Sequence, residues 1–118
     1  MNIDFTTARF KHMNWRFRIK AFLDGKETLT KEQAVSHTDC DLGKWFYSFG
    51  KAKYGHLPVI QEFEKLHIEL HAQIAEILRL SEAGENERAQ EVYAEMLSTS
   101  EKLMSCLDQA EKIFAIRA

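Results

Sequence analysis

"PVIQEFEKLHIELHAQIAEILRLSEA", Pro58 to Ala83, is the stretch whose reading decides the fold. Ile60, Phe63, His67, Leu70, Ile74 and Ile77 follow one another in steps of three and four. That spacing is the inward stripe of a helix in a bundle. Pro58 suits the first helical turn, where its missing N–H would have no partner anyway, and Gly84 suits the stop. One stripe position is a histidine where the pattern calls for an apolar side chain, and His71 follows it one turn later.

Working outward, the same pattern returns on both sides. A first helix runs from about Asp4 to Asp24 and stops at Gly25, with the stripe Phe5, Ala8, His12, Trp15, Ile19 and Phe22. His12 again replaces an apolar residue. A last helix runs from about Asn86 to Ile116, with Ala89, Val92, Met96, Thr99, Leu103, Cys106, Ala110 and Ile113 inward. Between the first helix and Pro58, a short helix is expected at "KEQAV" (31–35), with Thr30 and Gln33 as its capping box. A further helix is expected to open at Thr38 or Asp39, with Cys40 at its second position, and to end near Gly50, leaving "KAKYGH" (51–56) as a loop. With one proline and five glycines there are few breaks. The expectation is an all-α, antiparallel four-helix bundle with an additional short helix, a single domain over residues 1–118.

Composition narrows the function classes. Hydrophobic residues make up 45% and charged residues 29%, with a net charge near -2, so no basic face for nucleic acid or anionic lipid is built. No apolar run is long enough to span a membrane, and "MNIDFTTARF" (1–10) holds no hydrophobic signal core. A cytoplasmic, reducing setting is therefore expected, in which Cys40 and Cys106 stay unpaired.

One histidine in a core stripe is ordinarily a hydrogen-bonded core residue. His12, His67 and His71 together, two of them four residues apart on one helical face, suit a shared ion better. Cys40 supplies a fourth donor near a helix N-terminus, where the dipole favours the thiolate. Three imidazoles and one thiolate make a closed tetrahedral set that selects zinc over magnesium or calcium. Trp15 and Trp45 are expected chiefly as core packing that also walls the site, Gly43 to let the Cys40 helix approach closely, and Asp39 or Asp41 to cap a helix. His37 and His56 read as surface residues, and Cys106 as an inert core thiol.

"HMNW" from His12, "CDLGKW" from Cys40 and "HIELH" from His67 resemble the signature of the chemoreceptor zinc-binding (CZB) domain family. That pattern is a His followed closely by an aromatic, then Cys-x-aliphatic-Gly-x-aromatic, then His-x-x-x-His. The resemblance covers nearly the whole chain. It implies a homodimeric helical bundle that binds one zinc per subunit through His12, Cys40, His67 and His71. It also implies a regulatory role, in which zinc occupancy or oxidation of the cysteine changes a partner such as a chemoreceptor signalling region or a diguanylate cyclase. Phe10, Met13, Phe17 and Leu23 add apolar surface beside the first stripe, which independently suggests a dimer.

Rival functions fit the residues less well. A catalytic zinc keeps a position open for water, and a zinc protease needs a glutamate directly after the first histidine, where this chain has Ile68. Glu69 should point away from the pair. A di-iron bundle would need inward carboxylates, which the stripes lack. A structural zinc-stabilised dimerisation module is the remaining alternative to a sensor, and no enzymatic activity is expected.

Overall fold

A computed structural model describes residues 5–29, 40, 43–44 and 46–117. Its described regular structure is entirely helical, as the 3.6-residue periodicity predicts. Helix α1 spans Phe5–Leu23. A single π-helical turn, Phe46–Gly50, leads into the short α2, Lys51–Tyr54. Helix α3 spans Pro58–Glu82 and α4 spans Asn86–Arg117. The short helix expected at 31–35 and the opening at Thr38 or Asp39 lie outside the described residues.

Helices α3 and α4 form an antiparallel hairpin whose tight turn is set by Gly84. Its φ of 79° is left-handed, a conformation that costs a residue with a Cβ. The turn lets Glu85 N–H donate to Leu80 O (2.9 Å) and Gly84 N–H to Ser81 O (3.0 Å), which satisfies carbonyls the helix leaves open. The same pair of bonds closes α1 around Gly25, with Lys26 N–H on Ala21 O and Gly25 N–H on Phe22 O. Ile60, Phe63, Leu70, Ile74 and Ile77 of α3 and Ala89, Met96, Leu103, Cys106 and Ala110 of α4 are buried, as the stripes predict. Leu66, Leu78 and Leu80 are buried as well, because α3 is covered over more than one narrow face.

Helix α1 packs on α4, running antiparallel to it. The Arg9 guanidinium near one end donates from Nε to Asp108 (2.8 Å) and also engages Glu111. Nearer the other end, Tyr93 of α4 donates to the Arg16 carbonyl (3.5 Å). Ile19 is fully buried and His12 buried, with Trp15 and Phe22 half-buried beside them, so α1 turns these four residues of its expected stripe inward.

One boundary differs from expectation. Gly50 does not end a helix: it is buried, with φ -61° and ψ -43°, and it carries the chain from the π turn into α2. The glycine reads as a break, yet its lack of a side chain suits it equally to a covered helical position. "KAKY" is therefore helical and not a loop, and Gly55 N–H closes it on Lys51 O (2.9 Å). Leu57 then turns extended, and Pro58 starts α3. Among the described residues, no helix is long and apolar enough to cross a membrane.

Candidate metal centre

The helical repeat of α3 puts His67 and His71 on one face, and both are buried. Their rings stand nearly perpendicular (86°), with centroids 4.8 Å apart. Helix α1 brings His12 against them from the side, its centroid 5.0 Å from His67 and 6.0 Å from His71. Cys40 approaches from the segment ahead of α2, with Sγ 3.3 Å from His67 Nε2. One ligand atom from each of the four side chains lies within 4.8 Å of every other.

Cys40 is held by backbone. Lys44 N–H donates to the Cys40 carbonyl (2.8 Å), and Gly43 N–H donates to the Cys40 sulfur (3.3 Å). These two bonds are those of a helix N-cap, whose carbonyl takes the first helical bond and whose side chain takes the N–H three residues on. Cys40 thus occupies the cap itself and not the second helical position, because sulfur serves here as the acceptor that a hydroxyl or carboxylate usually provides. Gly43 contributes its N–H, which is aimed at the sulfur.

The donor set fits a soft, tetrahedral ion. His12 is 3% exposed, and burial, helped by the neighbouring charge of His71, pushes its imidazole down to about 4. At neutral pH it is therefore uncharged and keeps a lone pair for a metal. His12 Nδ1 is buried and makes no hydrogen bond. A tetrahedral zinc holds its nitrogen and sulfur ligands roughly 3.3 to 3.7 Å apart. The Cys40–His67 pair already has that separation, and the widest pair needs to close by only about 1 Å.

The family model described as the chemoreceptor zinc-binding domain matches residues 12–78, more than half of the chain. The chain belongs to the CZB family. Neither the curated proteins nor the solved structures give a significant match. The matched span begins at His12 and closes within α3, so it contains all four clustered side chains, and zinc is the cofactor this CZB domain takes.

Aromatic rings wall the CZB site, and two of them were not named from the sequence. Phe63 stacks on His67 (5.5 Å, 14° between planes), and Phe46 meets Phe63 edge-on at 5.2 Å. Both phenylalanines are almost fully buried. Phe63 sits four residues before His67, so its position under that ring was available from the spacing. Trp15 is half-buried with Arg18 4.9 Å over its face, while Trp45, His37, Asp39 and Asp41 lie outside the described residues. Glu69 and His56 are exposed, as expected. Cys106 is buried, and its thiol is pushed up by burial and then by the charge of Glu62, as an inert core cysteine should be. Beside the site, Tyr47 donates to Glu64 (2.9 Å), and its hydroxyl is pushed up to about 12, first by burial and then by Glu64.

Proposed function

We propose that His12, Cys40, His67 and His71 bind one zinc ion and that this domain is a regulatory sensor. The observation that carries the ligand assignment is the convergence of four donor atoms of zinc-preferring type within 4.8 Å, from three separate parts of the chain. With all four positions taken by protein, the ion has no open site for a reacting water, which favours binding and regulation over catalysis. The residues 1–118 act as one domain, in the cytoplasm, where Cys40 and Cys106 remain reduced. The segment carrying Cys40 completes a four-helix bundle with α1, α3 and α4.

The signal is a change at Cys40, set by zinc supply or by thiol oxidants such as hypochlorous acid. Cys40 is half-buried as a residue, whereas His12, His67 and His71 are buried. Oxidation to the sulfenic acid would weaken its bond to zinc and release the cap. The output partner is a chemoreceptor signalling region or a diguanylate cyclase, reached through a homodimer. Support for the dimer lies on α1, where Phe10 and Phe17 are 74% and 68% exposed and Met13 lies between them. Leu23 is half-buried and contributes less than its position suggests. In the alternative reading the zinc only stabilises a dimerisation module.

The test of the metal assignment is zinc content by atomic emission after gel filtration. One zinc per chain is expected for the native protein, and a loss is expected in each of His12→Ala, Cys40→Ala, His67→Ala and His71→Ala. Full zinc content in the His67→Ala, His71→Ala double variant would remove the assignment. A partner output that ignores both zinc chelation and hypochlorous acid would leave the structural module.

A further inference from the structure

The Cys40 sulfur lies 3.3 Å from His67 Nε2, so the segment that carries it must be seated accurately on α3. The cap bonds fix the sulfur to its own helix but not that helix to the bundle. The attachment to α3 is found two turns further on. Tyr47 in the π turn donates its hydroxyl to Glu64 Oε2 at 2.9 Å, and Lys51 Nζ reaches the same oxygen at 2.9 Å. The Lys51 ammonium also sits 5.6 Å from the centre of the Tyr47 ring. Beneath them Phe46 is buried against Phe63.

Glu64 lies three residues before His67, so a single turn of α3 carries both a zinc-binding imidazole and the carboxylate that grips the cysteine segment. An isolated surface ion pair would hold little. Here the Glu64 side chain is 23% exposed, and one of its oxygens collects a hydroxyl and an ammonium from successive parts of the same segment. The π turn contributes geometry: within its wider repeat, a rare form found frequently at functional sites, Phe46 is buried in the core while the adjacent Tyr47 reaches the carboxylate.

We propose that Glu64, through Tyr47 and Lys51, is a positioning residue that latches the Cys40 segment onto α3 and sets how often the Cys40 sulfur becomes available to reagents. The latch rests on the reading of Cys40 as a zinc ligand only for its regulatory meaning; its mechanical action does not depend on the ion. Opening it would free residues 43–54 while the α3–α4 hairpin stays folded, a local event of the kind that native proteins show at their less stable edges.

The experiment is alkylation of the full chain by iodoacetamide, with Cys40 and Cys106 read separately by mass spectrometry. It is run on zinc-loaded and on chelator-stripped protein, with hydrogen exchange on the same samples. Loss of two bonds to a charged acceptor should make Cys40 react about tenfold faster in Glu64→Ala. Tyr47→Phe and Lys51→Met should each give a smaller acceleration, and Tyr47→Phe combined with Glu64→Ala should be no faster than Glu64→Ala alone. Exchange should quicken over 43–54, with Cys106 and the α3–α4 hairpin unchanged. Glu64→Gln, which keeps an acceptor for Tyr47, should recover part of the protection; it and Tyr47→Phe carry the test if Glu64→Ala does not fold. Cys40 rates within twofold of the native protein in these variants would overturn the latch. So would equal acceleration at Cys106, which would mean general loosening. Zinc content of the native protein, measured alongside, decides the metal assignment separately, since the stripped samples report the latch without it.

Discussion

Replacing Phe63 by alanine tests whether the metal centre and the hydrophobic core are one structure. Phe63 is 3% exposed, with one face on His67 and an edge-type contact with Phe46. Truncating a buried phenylalanine to alanine costs about 3–5 kcal/mol, the lost transfer energy together with the cavity left behind. Leucine fills most of the volume and should cost under about 1.5 kcal/mol, plus roughly 0.5–1.5 kcal/mol for each aromatic contact it cannot make. Against a total stability of about 5–15 kcal/mol for a domain, the alanine variant loses a large share. The assay is urea denaturation followed by far-ultraviolet circular dichroism, once with chelator and once with zinc in hundredfold excess over its dissociation constant. Zinc should add about 2.7 kcal/mol to the native protein under that condition. The same increment, measured against the native dissociation constant, should shrink in Phe63→Ala, because the ring that orients His67 and shields it from water is gone. A loss below about 1 kcal/mol in the chelated alanine variant would refute the reasoning, since no well-packed buried ring is that cheap to remove. An unchanged zinc increment would separate the core from the site.

Three other outcomes follow from the same coordinates. In the metal-free protein the His12 imidazole, held down to about 4 against an unfolded value of 6.5, lets only the unfolded chain take up a proton between those values. Stability is then full above pH 6.5 and falls as the pH drops toward 4, by up to about 3 kcal/mol from this group; the fall should be missing from His12→Gln in paired urea titrations. Gly84→Ala forces a Cβ into a backbone with φ of 79°, where it meets no other atom, so the cost is conformational, about 1–2 kcal/mol, and should appear as a lower thermal midpoint with zinc content unchanged. Phe10→Glu with Phe17→Glu places charge on the exposed face of α1 and should convert a dimer to a monomer by light scattering; a native protein already monomeric at tens of micromolar would reject the dimer.

What could be read in the sequence follows from which interactions are periodic. His67 and His71 were legible because a helix repeats every 3.6 residues and their stripe is otherwise apolar. His12 was legible for the same reason, and the turn glycines 25 and 84 because a left-handed φ has few other occupants. The cap at Cys40 was not, since the familiar capping signal, Thr38, stands two residues earlier and a sulfur acceptor has no strong sequence signature. The passage of the helix through Gly50 was hidden by a residue that equally marks a break. Phe63 and Phe46 went unnoticed as neighbours of the site because core phenylalanines look alike until a ring is seen lying on an imidazole.

The π turn at Phe46–Gly50 gives this chain a ruler. A π turn closes on the fifth residue where an α turn closes on the fourth, so deleting one position from the wider turn would tighten it to α-helical pitch and leave the segments on either side in nearly the same angular relation. Phe46 and the Cys40 cap lie on the upstream side, while Lys51 and α3 lie downstream. A one-residue deletion within the π turn would therefore leave the cysteine facing the site, whereas a deletion between the cap and Phe46, with no wide turn to absorb it, would rotate the cysteine by about 100°. The segment should consequently accept a one-residue change of length at the π turn and nowhere else ahead of it.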